Sequence, residues 1–184
     1  GLSAYAAHWT ATDQVPQRAL ATGAVDRFGT LDPSDGGSTE RASLSWNWER
    51  QVRDGLWQAS AFAIRSSLDL YSNFTYFLQH PADDPARNPT GVRGDQIGQA
   101  ESRRVAGGAL LRRWDTSLGA RDGTTTLGLQ VRQDRVGPLG LYATESRVRS
   151  LVLQESRVRQ SSLGIHLAND TQWLPWLRAV VGLR

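Results

Sequence analysis

Apolar and polar residues alternate along most of this chain, and a period of two restricts it to strands with unlike faces. Over residues 42–49, Ala42, Leu44, Trp46 and Trp48 alternate with Ser43, Ser45, Asn47 and Glu49. Over residues 58–76, Phe62, Ile64, Leu68, Leu70, Phe74 and Tyr76 share one parity, and Ala61, Ala63, Arg65, Ser67, Asp69 and Asn73 the other. Leu127, Leu129 and Val131 alternate with Thr126, Gly128, Gln130, Arg132 and Asp134. Leu163, Ile165 and Leu167 oppose Ser162, Gly164 and His166, and the last segment sets Leu177, Ala179, Val181 and Leu183 against Arg178, Gly182 and Arg184.

Connectors of two lengths join these segments. The short ones are Val52-Arg53-Asp54-Gly55, Ala120-Arg121-Asp122-Gly123 and Asn169-Asp170-Thr171; Asp-Gly favours hairpins because both residues tolerate positive φ. The long ones are residues 11–37, about 77–98 and about 137–157, rich in Gly, Pro and Asp. The second holds Pro81, Pro85 and Pro89, so it is not a ladder strand. The expected fold is all-β, an antiparallel up-and-down meander of about seven strands, with the short-turn, long-loop alternation of an outer-membrane β-barrel. An odd strand count suits an incomplete barrel.

No apolar run approaches the roughly 20 residues of a membrane helix, which leaves strands as the only spanning element. All basic residues are Arg, and they are interleaved with Asp and Glu, so no basic stripe for nucleic acid is expected despite a pI of about 9.9. Cysteine is absent, which excludes disulfides, thiolate metal sites and a Cys nucleophile. Trp46, Trp48, Trp57, Trp114, Trp173 and Trp176 lie near the short turns, and Tyr71, Phe74, Tyr76 and Phe77 lie where a strand meets a long loop, as in two interfacial girdles. The sequence begins at Gly1, contains no Met and shows no charged-then-apolar secretion signal, so its natural start is expected to be missing.

Four stretches carry a family resemblance. They are Trp9-Thr10-Ala11-Thr12-Asp13-Gln14-Val15-Pro16-Gln17-Arg18-Ala19; Arg27-Phe28-Gly29-Thr30-Leu31-Asp32-Pro33-Ser34-Asp35-Gly36-Gly37 with Arg41; Leu68–Tyr76 with Gly94-Asp95-Gln96; and Gly182-Leu183-Arg184. In order and spacing they resemble TonB-dependent outer-membrane receptors over most of the chain. The resemblance implies a segment of the receptor's C-terminal β-barrel over residues 1–184, with the plug domain and the TonB box absent. It implies a parent function of TonB-dependent uptake of a scarce solute such as a ferric siderophore. The implied partners are outer-membrane lipid, the plug, the TonB system and a small-molecule solute or metal chelate, with no nucleic acid, and the implied location is the outer membrane of a Gram-negative bacterium. Two alternatives stay open: a small complete outer-membrane barrel with an adhesin or structural role, and a soluble β-sandwich binding module.

No enzyme is expected. There is no Ser-His-Asp elbow, phosphate-binding Gly loop or HExxH, and no cofactor or metal is called for. His8, His80 and His166 are far apart; His80 before Asp83-Asp84, and Asp32 with Asp35, read as solvated loop residues, since a metal site needs converging ligands. Gly107-Gly108 in a strand points to a bulge or a close contact with a plug. The pentad Glu145-Ser146-Arg147-Val148-Arg149 recurs at residues 155–159, as chance or as two arms of an extended hairpin. The candidate lumen-facing residues are Arg65, Asp69, Arg104, Arg132, Asp134, His166 and Arg178, read as contacting the plug or an anionic solute, or as paired with Asp69, Asp134 and Glu101.

Overall fold

The turn at Arg53-Asp54 sets the register of the neighbouring strands, because it pairs Val52 with Gly55 and leaves no residue over. The computed structural model describes residues 1–76, 78–80, 94–119 and 121–184. These form one antiparallel sheet of seven strands in sequence order: β1 (Leu2–Thr10), β2 (Gly36–Val52), β3 (Gly55–Ser72), β4 (Ile97–Leu118), β5 (Arg121–Glu145), β6 (Val148–Leu174) and β7 (Leu177–Leu183). The all-β meander of about seven strands is thus observed. A five-residue helix, α1 (Gln17–Ala21), lies in the first long connector. Strands β1 and β7 are the two edges, each paired on one side.

Three connectors depart from the sequence reading. Residues 137–157 are not a loop: β5 and β6 run through them and meet at Ser146-Arg147. Register shifts between Val136 and Leu139, Leu141 and Tyr142, and Ala143 and Thr144 let the ladder pass Gly137-Pro138, because a bulge removes the need for an amide donor at proline. Ser146 and Arg147 adopt φ of 50° and 69°, so the first copy of the pentad makes the turn while the second lies within β6; the two are not arms of one hairpin. Asn169-Asp170-Thr171 is ladder within β6, and the turn falls at Pro175-Trp176. Asp122-Gly123 is likewise in β5, opposite Ser117 and Thr116. Phe77, Pro81, Asp83, Asp84, Pro85 and Pro89 lie outside the described residues.

Directly opposed residues share a face, so the registers carry one face across the sheet. Leu44 pairs with Leu2 and Ala63, Ala63 with Ala106, and Ala106 with Gln133. That face also holds Trp46, Trp48, Leu110, Leu127, Leu129, Val131, Leu163, Ile165, Leu167, Val181 and Leu183. On β3 the expected apolar parity is reversed: Ile64 opposes Ser43, so Phe62 and Ile64 lie on the other face, and the small Ala59, Ala61 and Ala63 lie under Trp48, Trp46 and Leu44. Gly107-Gly108 is not a bulge, for the irregularity in the β4–β5 ladder falls at Glu101/Arg103. A Cβ at Gly107 would lie 2.7 Å from Cζ of Phe62, so the missing side chain admits that ring.

Among the described residues, nothing covers the apolar face. The buried apolar side chains are Leu56, Ala100, Val105, Tyr142 and Ala143, whereas Leu163 is 68% exposed, Ile165 58%, Leu44 57% and Trp46 52%. The accessible area is 12948 Å². A compact monomer of this mass exposes roughly 8,800 Å².

Candidate functional site

Two features stand out: a row of arginines on the apolar face, and a polar cluster that ties the long connectors together.

Arg65, Arg104, Arg135 and Arg159 form a continuous cross-strand row over β3, β4, β5 and β6. The register places them there: 65 opposes 104, 104 opposes 135, and 135 opposes 159. All four are exposed. Other arginines hold carboxylates: Arg103 with Glu101 at 2.9 Å, Arg112 with Asp54 at 2.7 Å, Arg132 with Asp134 at 2.7 Å, Arg149 with Asp69 at 3.4 Å, and Arg178 with Asp170. Among the described residues, Arg65, Arg104 and Arg159 have no such partner, and Arg135 reaches only the Gln133 amide oxygen at 3.4 Å. Arg65, Arg104 and Arg135 border a shallow cleft of about 470 Å³ whose floor includes Leu2, Ala42, Leu44, Ala63 and Ala106.

The seven candidate residues do not share a face. Arg65, Asp69 and Arg104 lie with Leu44; Arg132, Asp134, His166 and Arg178 lie on the opposite face. The reversal of β3 causes the division. Arg132 is held by Asp134, and Arg178 by Asp170, which keeps Asp134 and Asp170 below the usual carboxylate range. His166 lies across Gly128, in the space a side chain there would fill. Reading residues within single strands missed Arg135 and Arg159. Arg135 shares the parity of Leu127, Leu129 and Val131, and that parity was the available signal.

The loop-end cluster centres on Gln96, 2% exposed. Its amide nitrogen donates to Asp32 Oδ2 at 3.2 Å, Ser34 Oγ at 2.7 Å and Asp35 Oδ1 at 3.1 Å. Its carbonyl oxygen accepts from the Thr144 hydroxyl at 3.0 Å and the Arg147 amide at 2.9 Å. The Arg147 guanidinium donates to the Ser34 and Asp35 carbonyls and sits 5.5 Å from the Tyr71 ring. Asn73 donates its side-chain amide to Asp32 and its backbone N–H to Asp13. Three connectors are thereby joined, and the left-handed turn at Ser146-Arg147 is fixed by bonds that outweigh its backbone strain.

Burial opposes ionisation at Asp32, but bonds from Asn73, Ser34 and Gln96 outweigh it and hold that carboxyl low. Asp35 is 1% exposed, and its Oδ2 accepts no bond. Burial, the adjoining Asp13 carboxyl and the Asp32 charge push it up to about 7, against the bond from Gln96. Asp95 is lowered: bonds from the Gln79 amide, the Thr75 hydroxyl and His80 overcome its burial. His80 is thus a partner of Asp95 at 2.9 Å, and Asp32 and Asp35 are cluster members, not solvated loop residues. Among the described residues, no three His, Cys, Asp or Glu side chains converge as a metal site would require.

No family model, no curated protein and no solved structure matches the chain. This overturns the resemblance to TonB-dependent receptors, because a receptor segment carrying those motifs over most of its length would match its own family. With it fall solute uptake, the siderophore or metal chelate, the partnership with outer-membrane lipid, plug and TonB system, and the outer-membrane location. The strands do not close into a small complete barrel either, since β1 and β7 are not paired with each other. The quoted motifs have local physical causes: Asp32–Gly37 and Asp95-Gln96 build the loop-end cluster, and Gly182-Leu183 pairs with Ala168 and Leu167 at an edge.

Proposed function

We propose that the chain is a binding module, not a catalyst, and that it docks onto another polypeptide through the face carrying Leu44. The observation that supports this is the single-layer sheet with its apolar side chains exposed along one face. An uncovered apolar surface of this extent marks an interaction site in a folded protein. The arrangement is one layer of a β-sandwich whose second layer comes from the partner. Asp13, Asp32 and Asp35 are engaged in bonds that join connectors, and Asp95 with His80 ties the β3–β4 connector to itself, which suits a scaffold better than an active site. With no other protein present, copies of the chain cover one another. The purified full chain, in lipid-free and detergent-free buffer, is therefore expected to sediment as an oligomer with the circular dichroism of a β protein. A stable monomer under those conditions contradicts the reading.

A further inference from the structure

We infer that the partner presents an acidic segment to the row formed by Arg65, Arg104, Arg135 and Arg159. This rests on the binding-module reading and names the chemistry of its partner. Three interstrand steps of roughly 4.8 Å make the row about 14 Å long. Like charges directly opposite on a sheet disfavour it, so the free chain carries repulsion along this line. Among the described residues, no member of the row is held by a carboxylate, whereas Arg112 on the same face is held by Asp54, so the row is a run of four adjacent uncompensated cations on the apolar face. Its position matters as much as its charge. The row borders the apolar floor at Leu44, Ala63 and Ala106, so a segment with carboxylates along one edge and apolar side chains beside them satisfies both in one pose. Guanidinium groups bond carboxylates through two parallel N–H donors, and covering the pairs with polypeptide lowers the local dielectric and strengthens them.

The test titrates the full chain with an oligoglutamate peptide, followed by tryptophan fluorescence at low and high salt. Two double variants are compared: R65Q/R104Q on the row, and R132Q/R178Q, which removes paired arginines from the opposite face. The expected result is salt-sensitive binding that R65Q/R104Q weakens about tenfold, the effect of losing roughly 1.4 kcal/mol, and that R132Q/R178Q leaves within about twofold. Equal weakening in both variants overturns the proposal, as does binding that neither changes. Tighter binding of anionic phospholipid vesicles or of a single-stranded oligonucleotide, at equal charge concentration, overturns it in favour of those ligands. Should the apolar face prove covered by polypeptide while the row variants bind normally, this inference alone fails and the binding module stands.

Discussion

Arg65 of β3 and Arg104 of β4 oppose each other directly on one face of the sheet, and neither makes an ion pair with a carboxylate among the described residues. Such a pair destabilises the free chain while keeping a site ready for negative charge. Arg104→Gln is therefore expected to raise stability in low-salt urea unfolding by about 0.2–1 kcal/mol. The gain should vanish near 1 M salt, where the Debye length is about 3 Å. Equal gains at both salt levels would assign the effect to packing instead.

His166 and Gly128 make a sharper test of the register. Gly128→Ala drives a methyl group into the imidazole and should cost about 1–3 kcal/mol. Adding His166→Ala should return most of it, giving a coupling in a double-mutant cycle. Additive losses would mean that the two residues do not face each other.

Gln96 carries five bonds among three connectors. Gln96→Leu strips partners from Asp32, Asp35, Thr144 and Arg147, and each buried polar group left unpaired costs about 1–3 kcal/mol. Hydrogen exchange should quicken at the Thr144 and Arg147 amides and stay unchanged at Leu110 and Leu129 in mid-sheet. Uniform acceleration would show that the cluster and the sheet unfold as one unit.

Asp35 gives the pH dependence. Its carboxyl is pushed up to about 7 in the folded chain, above the ordinary 3.8, so the folded state binds the extra proton between those values. Stability from this group is then present at acid pH and is lost as pH rises through about 7. Asp13 and Asp32 face it, so its ionisation adds a third negative charge, while Gln96 donates to it. Asp35→Asn should flatten the loss measured by thermal unfolding between pH 5 and 8 (a range of about three units, spanning the raised value). An unchanged slope would place the titration elsewhere.

Alternation and the Asp54-Gly55 turn made strands, topology and the β2–β3 hairpin legible, because a period of two and positive-φ residues act locally. Which face each segment joins was not legible on β3, where Phe62 and Ile64 suggested the apolar side. A register belongs to two strands, and only the pairing of Val52 with Gly55 shows Ile64 opposite Ser43. The β5–β6 hairpin was hidden because Gly137, Pro138 and Gly140 read as loop, while bulges absorb them in the ladder. The row was half visible: Arg65 and Arg104 could be named, but Arg135 and Arg159 join them only through two further registers. Gln96 was quoted only within Gly94-Asp95-Gln96 and its bonding role was not legible, since that role comes from three connectors meeting at one end.

The absence of cysteine allows the central claim to be measured directly. Single cysteines at Leu129 and Leu163 lie on the face of Leu44, and those at Gln130 and Gly164 lie on the other. Thiol labelling of the purified full chain in lipid-free buffer should be slow at Leu129 and Leu163, fast at Gln130 and Gly164, and fast at all four in urea. Equal labelling of both parities before urea, or protection that arises only when phospholipid vesicles are added, would contradict a face covered by polypeptide.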